Sequence, residues 1–209
     1  MVDPIRSFLR RRRYGVPVAV VSGLPRSGTS MMMRMLEAGG LTVFTDGERS
    51  ADIDNPEGYY EFERVKDLEK DSDRSWVRGA RGQALKVISF LLRFLPDGNA
   101  YRIVYMRRHL DEVIKSQDKM LDRLGNAAPA GTDVEAMKEA YRNDIVAARL
   151  HARKRPNMEW LEIHYKDAIA DPAAASRAVN AFLGGRLDEA AMRAAVDASL
   201  YRNRASTSG

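Results

Sequence analysis

The sequence predicts an α/β fold: one domain of three layers, with helices on both faces of a central parallel sheet of about five strands. Three observations lead to this expectation. Short apolar or β-branched runs alternate with stretches of helical periodicity along most of the chain, which is the order that builds a parallel sheet covered on both sides. The first run, residues 16–24, is continuous rather than alternating, as a strand buried on both faces should be. The 209 residues, 44% apolar and 30% charged, suffice for one sizeable core, and no shift in composition marks a second.

The elements follow in order. Residues 1–15 form a basic N-terminal segment. Within it residues 4–10 read as a short amphipathic helix, with Ile5, Phe8 and Leu9 on a face expected to pack on the domain. The α/β domain spans residues 16–204, and residues 205–209 read as a flexible tail. After the first strand a helix starts at Thr29, carries Met31, Met32, Met33 and Met35 toward the core, and stops at Gly39-Gly40. Residues 41–44 are a short second strand and residues 84–88 a third. A short helix, residues 89–95, then ends at Pro96-Asp97-Gly98-Asn99. Residues 101–106 are the fourth strand. Leu110, Val113, Ile114, Gln117, Leu121 and Leu124 fall at helical spacing, closed by Gly125; Val134, Met137, Tyr141, Ile145 and Ala148 mark a longer helix ending before Pro156. Residues 158–164 are the fifth strand, followed by helices over residues 172–182 and 188–200.

Bulk properties exclude several classes. No apolar run approaches the length of a membrane span. The absence of cysteine excludes disulfides and thiolate metal sites, so a cytoplasmic location is expected. The net charge of +5 reads as a solvated surface, and no nucleic-acid partner is expected from it. A site for an anion has to be found in motifs instead.

One motif stands at the first strand–helix junction. Gly23-Leu24-Pro25-Arg26-Ser27-Gly28-Thr29-Ser30 has the frame of a phosphate-binding P-loop, G-x-x-x-x-G-K-[ST], with Thr29 where the lysine belongs. Backbone N–H groups of Ser27, Gly28, Thr29 and Ser30 would form an anion-binding nest at a helix N-terminus. A nucleoside triphosphatase also needs that lysine, and an acid ending a later strand to help hold Mg²⁺. The fourth strand instead delivers Arg107-Arg108. The expected ligand therefore carries one anionic group at the loop, a second near the end of the fourth strand, and no metal. 3′-Phosphoadenosine 5′-phosphosulfate meets both requirements, since sulfuryl transfer can proceed on cationic and backbone donors.

At these residues the chain resembles the P-loop sulfotransferase superfamily, in particular its bacterial-type members, over roughly residues 16–185. Pro25-Arg26-Ser27-Gly28-Thr29 is similar to the 5′-phosphosulfate loop, in the form also seen in tyrosylprotein sulfotransferases. Arg108 followed eight residues later by Ser116 resembles the 3′-phosphate motif. Lys86, ahead of Leu95-Pro96, resembles the family's strand-end lysine, and Tyr165-Lys166-Asp167 through Ala181-Phe182-Leu183-Gly184 resembles its Y-E-D-L…FLG segment. The resemblance implies a P-loop NTPase-like fold and transfer of a sulfuryl group to a hydroxyl or amine. It implies Arg26 and Lys86 on the sulfuryl oxygens, Arg108 and Ser116 on the 3′-phosphate, and Tyr165 near the adenine; a core tyrosine is the alternative for the last. The K-G-x-x-G closing motif of cytosolic animal enzymes is absent. Arg202 and Arg204 lie in the C-terminal stretch that replaces it.

An acceptor hydroxyl needs a general base. Asp46 and Glu48, just after the second strand, are equal candidates, because counting from the tyrosylprotein sulfotransferases' glutamate lands on Gly47 between them. Asp52 and Asp54 come next. His109, His151 and His164 read as structural. Asp54 through Glu61, with Tyr59 and Tyr60, resembles a turn on the acceptor side of bacterial members. Two other functions fit the sequence: a module that binds adenosine 3′,5′-bisphosphate without turnover, and a P-loop small-molecule kinase, which would require Mg²⁺ and ATP.

Overall fold

The computed structural model describes residues 4–46, 60–123, 125, 133–197 and 199. Its sheet is built from β1 (Val18–Gly23), β2 (Ala84–Lys86), β3 (Tyr101–Arg107) and β4 (Met158–His164). All neighbours are parallel, in the order β2-β1-β3-β4. The sheet thus has four strands rather than about five. Residues 41–44 contribute one isolated bridge, Val43 to Ala84. β2 offers only three residues for pairing, and the amide of Ala84 bonds Thr42 while its carbonyl accepts from Phe44. Past that point the Phe44 ring turns to Phe62 and Trp76, with centroids 4.7 Å and 6.4 Å away.

The helices are α1 (Pro4–Tyr14), α2 (Thr29–Ala38), α3 (Leu110–Arg123), α4 (Val134–Lys154), α5 (Tyr165–Ala170), α6 (Pro172–Leu183) and α7 (Glu189–Ala194). The helix expected over residues 89–95 is the 3₁₀ helix Ser89–Phe94, and the last helix is shorter than its pattern suggests. α6 and α7 each start on an aspartate cap, Asp171 accepting from Ala174 and Asp188 from Ala190 and Ala191. In α1, Phe8 and Leu9 are exposed rather than packed on the domain. The helix is held by Arg10, which donates to the Pro156 carbonyl and pairs with Glu159, both at 2.6 Å.

Strand alternation sorts the core into two layers. Val18, Val20, Tyr101, Ile103 and Tyr105 face α3 and α4 with Val113, Ile145 and Ala148. Val21, Val104 and Met106 face α2, α6 and α7 with Met32, Met33, Met35, Val179 and Met192. The methionines of α2 pack as their spacing predicts. Two register pairs align the carboxyl ends of the strands: Gly23 with Met106, and Arg107 with His164. The loops leaving β1, β3 and β4 therefore emerge side by side. The chain passes from β2 on one side of β1 to β3 on the other, and this change of direction opens the crevice where such sheets bind ligands.

β3 also buries two phenols. Tyr101 donates to the Pro96 carbonyl at 2.7 Å, and Tyr105 meets Ser89 Oγ at 2.7 Å with its ring stacked on Trp160. Burial pushes the Tyr105 phenol up to about 12 and raises Tyr101 as well. A raised phenol favours the neutral form in the folded state. Its contribution to stability is complete below the unfolded value of about 10 and is lost as pH rises through the folded value. In an alkaline titration, part of the tyrosinate absorbance should appear together with loss of helical circular dichroism. Full phenol ionisation near pH 10 with the fold intact would contradict this burial.

Candidate functional site

The turn after β1 is shaped by residues that tolerate left-handed or crowded backbone. A side chain at Gly23 would meet Ser27 Oγ at 2.4 Å and the Met106 carbonyl at 2.7 Å, so only glycine lets β1 leave the sheet beside β3. Arg26 has φ 66° and Gly28 φ 99°. The non-glycine left-handed conformation at Arg26 costs on the order of 1–3 kcal/mol. This alternation of backbone conformations is the kind that turns successive N–H groups inward to form an anion nest. The amides of Gly28, Thr29 and Ser30 open α2, whose first turn carries no acidic side chain. Ser27 is turned into the loop. Its amide donates to Leu24, and its Oγ is buried with no partner among the described residues.

The loop after β3 locks onto this turn. The Arg108 side chain is only 8% exposed; it pairs with Glu112 one helical turn on at 2.9 Å and donates from Nη1 to the Arg26 carbonyl at 3.1 Å. Its guanidinium lies 4.7 Å above the centre of the Tyr165 ring. That ring fills the space over Gly28, where a side chain would meet Tyr165 Cδ2 at 2.4 Å. Arg26 reaches across to α3 and donates from Nε to Ser116 Oγ at 3.1 Å. Burial raises the Tyr165 phenol against the opposing field of Arg108. Thus Arg26, Gly28, Arg108, Ser116 and Tyr165, named from three separate stretches of sequence, form one contiguous set. Arg107 stands apart: it is partly exposed and lies 3.6 Å from Glu162.

A second set forms at the start of α2. Lys86, buried at the end of β2, donates to Ser30 Oγ at 3.1 Å and pairs with Glu61 Oε1 at 3.5 Å. Asp46 is exposed, and its Oδ2 accepts from the Glu63 amide at 2.5 Å, bracing the 3₁₀ helix Glu63–Asp67. Glu48, Asp52, Asp54, Tyr59, Arg202 and Arg204 lie outside the described residues. His109 and His164 are exposed beside Asp111 and Glu162. Glu61 falls in the turn expected on the acceptor side without an expected role of its own, because only the fold brings it to Lys86. Glu112 was readable as the i+4 partner of Arg108.

Comparison with known proteins bears on this arrangement. A profile of the sulfotransferase family matches residues 60–189, more than half of the 209 residues. The chain belongs to the sulfotransferase family. The matched region holds Lys86, Arg108, Ser116 and Tyr165; the loop after β1 lies ahead of it. The fold is similar to the sulfotransferase domain of the olefin synthase from Synechococcus PCC 7002, with TM-score 0.50 and 18% identity, covering 92% of this chain and 90% of that one. A sulfotransferase domain from the curacin biosynthetic pathway gives TM-score 0.49 and 14% identity, over 89% of each chain. No curated protein sequence matches at a significant level. Among the described residues, no helix of this sulfotransferase-family chain is long and apolar enough to cross a membrane.

Proposed function

We propose that this sulfotransferase-family protein moves a sulfuryl group from 3′-phosphoadenosine 5′-phosphosulfate to a hydroxyl or amine, without a metal ion. The observation that supports this most is Arg108, a nearly inaccessible cation just past the end of β3 that is bonded to the backbone of the loop after β1. A Mg²⁺-dependent P-loop enzyme needs an acid to help hold its metal; here that strand end favours an anion instead.

The residues present fit a nucleotide with two separated anionic groups. Gly23 and Gly28 leave the backbone of the turn without side chains in its two tightest places. Amides opening α2 and the Lys86 ammonium would face the 5′-phosphosulfate, whose chemistry is to release a sulfuryl group. Fixed donors there stabilise charge that moves onto the leaving phosphate. Arg108 and Ser116 would bind the 3′-phosphate. Arg26 already reaches Ser116, which puts its cation with the 3′-phosphate set as well as beside the loop. Tyr165, stacked under Arg108, would border the nucleotide. Asp46, occupied with the Glu63 amide, favours the second reading, a module that holds adenosine 3′,5′-bisphosphate without turnover.

Thermal shift tests the nucleotide directly, because a ligand of the native state raises Tm. Adenosine 3′,5′-bisphosphate should stabilise the protein in the presence of EDTA, and ATP with Mg²⁺ should do less. Equal stabilisation by both, or a need for Mg²⁺, contradicts the proposal. The adjacent arginines give a second check. Arg108→Ala should weaken bisphosphate binding by about 1.5–3 kcal/mol, as for a lost charge-assisted hydrogen bond, and should lower Tm because Glu112 is left buried without its cation. Arg107→Ala, which removes a partly exposed side chain lying beside Glu162, should cost clearly less. Calorimetry on the folded variants separates the two, and equal losses would refute the assignment of Arg108.

A further inference from the structure

We infer that Glu61 is the general base of this site: its carboxylate takes the proton of the attacking acceptor. The inference rests on the sulfuryl-transfer reading and adds a residue to it. Glu61 Oε1 lies 3.5 Å from Lys86 Nζ, and the same ammonium donates to Ser30 Oγ at the start of α2. The carboxylate therefore sits one cation away from the amides proposed to face the phosphosulfate.

Its backbone is anchored on both sides. Tyr60, in the left-handed region at φ 54°, donates from its hydroxyl to Glu37 of α2 at 2.7 Å. Thr45 Oγ1 donates to the Glu61 carbonyl at 2.7 Å. Phe62 packs between Phe44 and Trp76, 4.7 Å and 5.0 Å away. A carboxylate on such a pinned segment keeps its direction, as a base requires. The side chain remains 23% exposed, so an acceptor can reach it. Its other oxygen lies 4.0 Å from Lys66, so the ammonium groups of Lys66 and Lys86 both face the carboxylate. Asp46 by comparison spends an oxygen on the Glu63 amide.

In the step, the acceptor oxygen forms a bond to sulfur as the bond between sulfur and the bridging phosphate oxygen breaks. The electron pair of that bond leaves on the 5′-phosphate of adenosine 3′,5′-bisphosphate, and the acceptor proton passes to Glu61. Lys86 stays a cation throughout and stabilises the leaving oxygen.

Water serves as the test acceptor, because a base that activates a hydroxyl also activates water. Enzyme in excess over 3′-phosphoadenosine 5′-phosphosulfate is followed for bisphosphate release, and bisphosphate affinity is measured by calorimetry in parallel. Glu61→Gln should slow release by about 10²–10⁴-fold while leaving bisphosphate affinity within about twofold, and Glu61→Asp should recover part of the rate. Three outcomes overturn the inference: release by Glu61→Gln within about threefold of the parent, tighter bisphosphate binding with faster release, or no release by the parent despite normal binding. The second would mean that Glu61 only restrains Lys86. A parent protein that binds no bisphosphate overturns the sulfuryl-transfer reading itself, and Glu61 as its base falls with it.

Discussion

The ring of Tyr165 occupies the space that a side chain at residue 28 would need, with Cδ2 at 2.4 Å from that position, and the Arg108 guanidinium lies over the same ring, 4.7 Å from its centre. This stack joins the turn after β1, the loop after β3 and the start of α5. It works only because Gly28 has no side chain and sits at φ 99°, a conformation that other residues adopt at a cost. From it follow the depth at which Arg108 is buried, its bond to the Arg26 carbonyl, and the left-handed turn at Arg26 that sends its guanidinium to Ser116. Register supplies the rest: Gly23 opposite Met106 and Arg107 opposite His164 bring the three loops to one level.

Charge sets the chemistry of this crevice. The cations there already have oxygen partners: Glu112 and the Arg26 carbonyl for Arg108, Glu61 for Lys86, Glu162 for Arg107 and the Ser116 hydroxyl for Arg26. Those partners offset the repulsion of several cations held close together. They also mean that an entering anion gains only the difference between its own pairing and the pairs it disturbs. Arg108 and Glu112 are both nearly inaccessible and one helical turn apart, so that pair remains part of the scaffold. The Lys86–Glu61 contact is longer and more open, and is the easier one to rearrange.

Much of this was legible in the sequence because its signals are local. The continuous apolar run of β1, the frame from Gly23 to Ser30 and the eight-residue step from Arg108 to Ser116 each report on one element and its ends. β4 coincides with its expected span, residues 158–164. Misreadings came where tertiary contacts decide. Residues 41–44 have strand composition, but a three-residue β2 gives them only one partner. Phe8 and Leu9 follow an amphipathic spacing, yet α1 is held through Arg10 and leaves them exposed. Glu61 was hidden for the same reason: 25 residues of sequence separate it from Lys86, and its segment is placed by tertiary contacts of Tyr60 with Glu37, Thr45 with the Glu61 carbonyl, and Phe62 with Phe44 and Trp76.

Under the proposed function, two anion sites, at the ends of β1 and β3, act on one nucleotide. Calorimetric titration of adenosine 3′,5′-bisphosphate against adenosine 5′-monophosphate, both in EDTA, tests it most directly because the two ligands differ only at the 3′-phosphate. The arrangement of Arg108, Arg26 and Ser116 predicts that the monophosphate binds about 10–100-fold more weakly, the loss expected for charge-assisted hydrogen bonds to one phosphate. Equal affinities would show that the end of β3 does not hold a second anion, and would contradict the account.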